Sequence, residues 1–270
     1  MFRRWNSLRQ EGGLQRTKLV RPMMAKNVRD KVNIDLAENV VLVAGGTGGL
    51  GRAVSLAFLD EGAKVVVTFR RQEEYASLKN AAGTKGASLE GLLVDATDEA
   101  AVVELVDQIS TQFGRLDAMV NTIGGYAGGV KLWELETKVF DQMLALNLRS
   151  GYTLSRAVMP IMLKQKHGSI VNIAAKAAVD HGAGAAAYAA SKAAAVAMMD
   201  SLAADARGTG VRVNSILPSI IDTEANRRAM ADADFATWPK PEEIARVILF
   251  LCSDSAKVIH GASVPVYGNS

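Results

Sequence analysis

Apolar positions along the chain fall into two kinds of run that take turns. Val40 to Ala44 is short, apolar and β-branched, the pattern of a strand buried on both faces of a parallel sheet. Apolar residues then return at Ala53, Val54, Leu56, Ala57 and Leu59, the spacing of one helix face. A second strand is predicted over Lys64 to Thr68, a third in GLLVDATDEA, and a helix over Glu99 to Phe113 with Asp98 as its N-cap. LDAMVN ends a fourth strand at Asn121, and VFDQMLALNLRSGYTLSRAVMPIML reads as one long amphipathic helix. GSIVNIAA is a fifth strand and VRVNSILP a sixth. An Ala-rich helix lies between them, another begins near Glu242, and HGASVPVYGNS supplies a last strand. Strand and helix alternating in this way predict an α/β domain.

Composition adds little until it is split along the chain. Residues 1–31 hold nine Lys or Arg against Glu11 and Asp30, which leaves 22 basic and 26 acidic side chains in the remainder. The net charge of +3 therefore belongs to a basic arm, taken as residues 1–37, and not to the domain over residues 38–270. Nucleic-acid binding by that domain is not expected. The arm reads as a solvated extension; an organelle transit peptide within residues 1–31 is the less favoured alternative. One cysteine, Cys252, fits a reducing compartment, so the cytoplasm is the expected location. His167, His181 and His260 are scattered without ligand spacing, so no metal site is expected. No apolar run reaches the ~18 residues of a membrane span.

Three stretches carry candidate chemistry. Gly45, Gly46, Gly48, Gly49 and Gly51 sit between the first strand and the first helix. Glycines there let the backbone approach a ligand, and the helix N-terminus favours an anion. A glycine loop alone is often a turn; between strand and helix it points to a dinucleotide. At the end of the second strand, where a carboxylate would read a ribose 2′-hydroxyl, stand Phe69, Arg70 and Arg71. Guanidinium groups can grip a 2′-phosphate, so NADP(H) is expected, with NAD(H) the alternative. Asp95 is a candidate for the adenine amino group. Tyr188 precedes Lys192 by four residues on the Ala-rich helix, so both can share one face. An ammonium there would lower the phenol pKa toward a proton-exchanging range; the plainer reading is two surface side chains. Asn147 is a poor helix-interior residue, which suggests a specific task such as bending the helix or holding a water.

AGGTGGLG, Asp95, the Asn121–Gly124 stretch, Asn147, YAASK, Pro218 with Ile221 and Thr223, and HGASVPVYG together resemble the short-chain dehydrogenase/reductase family from about residue 38 onward. The resemblance implies a single Rossmann-type, doubly wound parallel sheet in the order 3-2-1-4-5-6-7 and a homodimer or homotetramer. It makes Tyr188 the catalytic acid and Lys192 its pKa-lowering partner, which also binds the nicotinamide ribose. Asn147 holds a relay water. Gly45, Thr47, Gly49, Leu50 and Gly51 belong to the pyrophosphate loop, Asn121 to the cofactor edge, and Ile221 and Thr223 to the carboxamide.

The departures from the family pattern bear on the substrate. Ser is usual thirteen residues before the Tyr, donating to a substrate carbonyl; this chain has Ala175, with Ala174 beside it. Ala44 and Ser219 replace a usual Thr and Gly. The dihydropteridine reductase branch also lacks that Ser, and GGYAGG, AKAAVDHGAGAAAY and DTEANRRAMADADFATW resemble its pocket segments. Asn147, Asp95 and the Arg pair draw the chain back toward the general family. The expectation is hydride transfer from NADPH to a conjugated, dihydropteridine-like small molecule. Tyr126, Asn226 and Trp238 are the substrate-side candidates, with Thr223 to Asp234 as a covering segment. Tyr126 and Trp238 have packing as their alternative. The rivals are a carbonyl or quinone reductase without its Ser, and a cofactor binder with little catalysis.

Overall fold

The computed structural model describes residues 34–270, and Ile34–Ser270 form one compact unit. The transit-peptide reading of residues 1–31 lies outside the described residues. Leu36, on the arm side of the expected boundary, is only 1% exposed and joins the core.

Seven parallel strands make one sheet: β1 (Val40–Ala44), β2 (Lys64–Phe69), β3 (Leu89–Leu93), β4 (Ala118–Asn121), β5 (Gly168–Ile173), β6 (Val211–Pro218) and β7 (Ser263–Val266). Their order is β3-β2-β1-β4-β5-β6-β7, as expected. Both neighbours of β1 are parallel to it, with Val43 opposite Val67 on one side and Val120 on the other. The chain winds outward from β1 in both directions, so the carboxyl ends of β1 and β4 form the switch point where a ligand cleft opens.

Every residue of β1 is buried because both faces are covered. Val41 and Val43 face a core with Val54 and Phe58 of α1 (Gly49–Asp60), Leu78 of α2 (Gln72–Ala82) and Ile244 and Ile248 of α8 (Pro241–Cys252). Val40, Leu42 and Ala44 face the opposite layer. There Leu105 and Ile109 of α3 (Glu99–Phe113) pack with Leu154 and Val158 of α5 (Ser150–Gln165) and Met199 of α6 (Ala186–Asp205). Each fully buried Leu, Ile or Phe contributes about 1.5–3 kcal/mol.

Asp98 caps α3 through the Ala100 and Ala101 amides, as its position predicted. The long helix is not uniform. It runs as α4 (Thr137–Leu144), a π-turn at Ala145–Arg149, and α5, with Asn147 at the centre of the π-turn. Such a turn adds a residue and re-aims the side chains beyond it. The third strand lies two residues before its expected place, because pairing with Val65 to Phe69 sets its span. The remaining helix, α7 (Glu224–Ala229), lies in the segment after β6. No described helix is long and apolar enough to cross a membrane, and no described group of three His, Cys, Asp or Glu could hold a metal ion.

Candidate active site

A cleft of about 630 Å³ opens at the carboxyl ends of β1 to β4. Its floor is the glycine loop. Gly45 adopts φ +75°, its amide donates to Thr68 Oγ1 at 2.9 Å, and its carbonyl accepts from the Gly48 amide at 3.0 Å. Thr122 Oγ1 donates to the Ala44 carbonyl at 2.7 Å, tying the loop to the end of β4. A β-carbon on Gly51 would lie 2.1 Å from the Gly45 carbonyl oxygen, and one on Gly49 would lie 2.9 Å from Thr223 Cγ2. Gly49 and Gly51 are thus required by close approach, and Thr223 stands against the loop. Helix α1 follows Gly48 as its N-cap, without a side-chain cap and without an acid in its first turn, so its opening amides and dipole suit an anion. A cradle that only glycine can form, ending in such a terminus, fits the pyrophosphate of a dinucleotide. Leu50 differs from its loop neighbours: its side chain is buried in the core. Gly46 serves packing, since a β-carbon there would meet Val67 at 2.4 Å.

At the far side of the cleft lie Arg70, Arg71 and Asp95. Asp95 accepts from the Thr97 amide and hydroxyl at 2.9 and 2.8 Å, and these bonds hold its carboxyl below the usual range. Arg70 acts on Asp95 through its charge. Arg71 is ion-paired with Glu74 of α2, whose other oxygen accepts from Thr47 Oγ1 at 3.1 Å. Glu74 was not among the expected residues; on the sequence it is one more acid on a solvated helix.

Not every expected residue reaches the cleft. Asn121 is 1% exposed; its amide donates to Asn172 Oδ1 at 2.9 Å and its oxygen accepts from the Ile123 amide at 3.2 Å. Its side chain shapes the β4 turn and does not line the cleft. Trp238 is 6% exposed, with its ring tilted against that of Phe235 at 5.0 Å between centres, so it takes the packed position that was its alternative in place of the substrate-side one. The Asn226 amide donates to the Ile221 carbonyl at 2.8 Å and its main-chain N–H bonds Thr223 Oγ1 at 3.2 Å, so it holds the Ile221–Thr223 turn in shape.

Around the Tyr–Lys pair the electrostatics differ from the expectation. Tyr188 is half-buried near the start of α6, with Tyr126 edge-on at 5.0 Å between ring centres. Burial, with the Tyr126 phenol adding to it, pushes the Tyr188 hydroxyl up to about 12. Lys192 does not pull it down. Its ammonium is 4% exposed, donates to the Ile173 carbonyl at 2.8 Å, and is itself pushed to about 8 by desolvation. A shared helix face brings the two backbones together, but the carbonyl at the end of β5 captures the ammonium.

Asn147 ties the pieces together. Its oxygen accepts from the Gly125 amide and its nitrogen donates to the Gly125 carbonyl, both at 3.0 Å, and to Ser191 Oγ at 3.0 Å. Ser191 in turn donates to the Tyr188 carbonyl at 2.7 Å. The side chain therefore clamps the glycine loop carrying Tyr126 to the helix carrying Tyr188. A β-carbon on Gly124 would meet Asn147 Oδ1 at 3.0 Å and Lys192 Nζ at 3.1 Å, so the loop passes directly over both. Ala175 follows β5 in extended conformation, 6% exposed, with its methyl group where a hydroxyl donor is usual. A wider groove of about 860 Å³ runs along the solvent face of α3 alone, with no convergent chemistry.

Comparison with known proteins agrees with this geometry. A family model described as short chain dehydrogenase matches residues 39–234. The 3-oxoacyl-[acyl-carrier-protein] reductase FabG of Thermotoga maritima is 31% identical over 242 residues, covering 86% of this chain and 98% of its own. Meso-2,3-butanediol dehydrogenase of Serratia marcescens is 32% identical over 241 residues, covering 86% and 94%. The solved structure of ElxO with NADP bound is 26% identical, with a TM-score of 0.81 over 86% of this chain and 98% of that one.

Proposed function

The chain belongs to the short-chain dehydrogenase family, and we propose that it is an NADP(H)-dependent reductase acting on a conjugated, dihydropteridine-like acceptor. When bound, the cofactor supplies the hydride. The loop of Gly45, Thr47, Gly49 and Gly51 with the α1 terminus holds the pyrophosphate. Arg70 and Arg71 bind the 2′-phosphate, and Asp95 the adenine. Lys192 binds the nicotinamide ribose, while Ile221 and Thr223 flank the carboxamide. ElxO, a relative with bound NADP, supports NADP(H) over NAD(H).

Tyr188 donates the proton. With its hydroxyl raised to about 12 it is protonated at neutral pH, the form a reduction requires. Tyr126 is 68% exposed beside it and offers a flat flank for a ring system. The covering segment from Thr223 to Asp234 is braced by Arg227, whose guanidinium bonds both oxygens of Asp222. Self-association as a homodimer or homotetramer suits the groove where Tyr152, Ala194 and Met198 of α5 and α6 meet.

The observation that carries the substrate reading is Ala175. A simple ketone concentrates negative charge on one oxygen, and a donor there is worth roughly 3–4 kcal/mol. A conjugated ring spreads that charge, so one proton from Tyr188 suffices. The relatives named above favour a second reading, a carbonyl substrate such as a 3-oxoacyl thioester. Consumption of NADPH with an oxidised dihydropterin, against a panel of ketones, quinones and 3-oxoacyl thioesters, separates the two. Ala175→Ser is expected to raise ketone turnover about 100-fold and to change pterin turnover little. Faster ketone than pterin turnover by the wild type sinks the first reading; binding of NADPH with no turnover favours a cofactor-binding protein.

A further inference from the structure

Glu74 stands in the cofactor cleft facing the groups that the NADP(H) reading assigns to the 2′-phosphate. It lies in the first turn of α2, which aims its carboxylate back at the glycine loop. One oxygen is ion-paired with Arg71 and the other accepts from Thr47 Oγ1 at 3.1 Å, so one of the two arginines of that reading and a hydroxyl of the glycine loop are already engaged by this protein's own acid. Glu74, Arg71 and Thr47 all line the cleft, as does Arg70. Neither side chain of the ion pair is buried: Arg71 is 68% exposed and Glu74 31%. The pair is therefore weakly held and readily exchanged.

We propose that Glu74 sets the choice between NADPH and NADH at this site. A 2′-phosphate carries close to two negative charges and must take Arg71 from the carboxylate, which remains nearby and repels it. A ribose 2′-hydroxyl instead finds an acceptor in that carboxylate, the role an acid at the end of β2 plays in NAD-binding sheets. Arg70 and Arg71 thus favour the phosphate while Glu74 opposes it. The site accepts both cofactors, with a preference for NADPH smaller than two arginines alone would give. Thr47 links this choice to the pyrophosphate loop, because the hydroxyl released by Glu74 is free to donate to the incoming anion.

The inference rests on the proposed cofactor reading, and the test separates the two. Glu74→Gln keeps the shape and hydrogen-bonding reach while removing the charge; Glu74→Ala removes both. Affinities of the full chain for NADPH and NADH are measured by nucleotide fluorescence, and those for 2′,5′-ADP and 5′-AMP by competition. Both variants should bind NADPH and 2′,5′-ADP about five- to tenfold more tightly. NADH and 5′-AMP should bind equally or more weakly. The change in ratio should shrink at high salt, because the groups are exposed. Tight binding of NADPH by the wild type with an unchanged ratio in both variants would overturn the inference and leave the cofactor reading standing. Binding of neither dinucleotide by the wild type would overturn both.

Discussion

Lys192 is the residue whose ionisation the fold disturbs in a way that solution measurements can follow. Its ammonium is buried, with the Ile173 carbonyl as hydrogen-bond acceptor at 2.8 Å, and desolvation lowers it from 10.5 to about 8. A shift of that size corresponds to about 3 kcal/mol disfavouring the charged form in the fold. The sign follows from proton counting. Between pH 8 and 10.5 the unfolded chain keeps the proton that the folded chain has released, so stability rises with pH through that window. The Lys192→Met variant keeps the length of the side chain and lacks the titration. At neutral pH it gains by losing a buried charge and loses by leaving the Ile173 carbonyl without a donor, at about 1–3 kcal/mol, so the two proteins should be close there. Urea unfolding of both, followed by circular dichroism from pH 7 to 10, gives the difference curve. It should climb in favour of the wild type, at up to about 1.4 kcal/mol per pH unit near pH 9. Tyr188, raised from 10.0 to about 12, lowers stability above pH 10 in both proteins, and the buried Cys252 thiol, at about 12, likewise cancels in the difference. A flat difference between pH 8 and 10 would show that the ammonium is not desolvated where the structure puts it.

Three other outcomes are expected. Tyr188→Phe should lose at least about 100-fold in turnover while binding NADPH as the wild type does; retained turnover would remove the phenol as proton donor. In Gly51→Ala the new methyl group meets the Gly45 carbonyl oxygen at 2.1 Å, so the loop must shift. Nucleotide affinity should fall about tenfold or more and stability by more than about 1 kcal/mol, read by titration and thermal melting. Trp238→Ala should cost about 3–5 kcal/mol of stability, with Trp238→Phe close to neutral in KM. A KM change without a stability change would return the residue to the substrate side.

Elements were legible where their signals are local. A strand buried on both faces must be apolar throughout, and Val40 to Ala44 is. An N-cap needs an acceptor two or three residues before the amides it serves, and Asp98 sits there. The third strand slipped by two residues because the apolar run continues through Leu93 and Val94, although Leu93, at the sheet edge, is 70% exposed. Only pairing with β2 shows where that strand begins and ends. The glycine loop, Tyr188, Lys192 and Asn147 were found as residues, and the site brings Lys192 and Asn147 together under Gly124. Their interactions were harder to read. Trp238 looked like a ligand contact because an aromatic after a polar segment carries no mark of the ring it will pack against.

The amino-acid order was enough for the alternation of strands and helices, the phosphate cradle and the Ala at position 175. Each of these depends on residue type and on spacing within one or two turns. Folding in three dimensions was needed for what joins residues from separate layers. Thr47 and Glu74 meet from a loop and the following α/β unit, and Asn147 and Ser191 from two helices. The pKa of Tyr188 was misjudged from its spacing to Lys192 for the same reason. A charge responds to all the atoms around it, and the carbonyl that holds Lys192 comes from a strand nineteen residues earlier. Proximity along a helix says which side chains can meet, while burial and competing partners say which of them do.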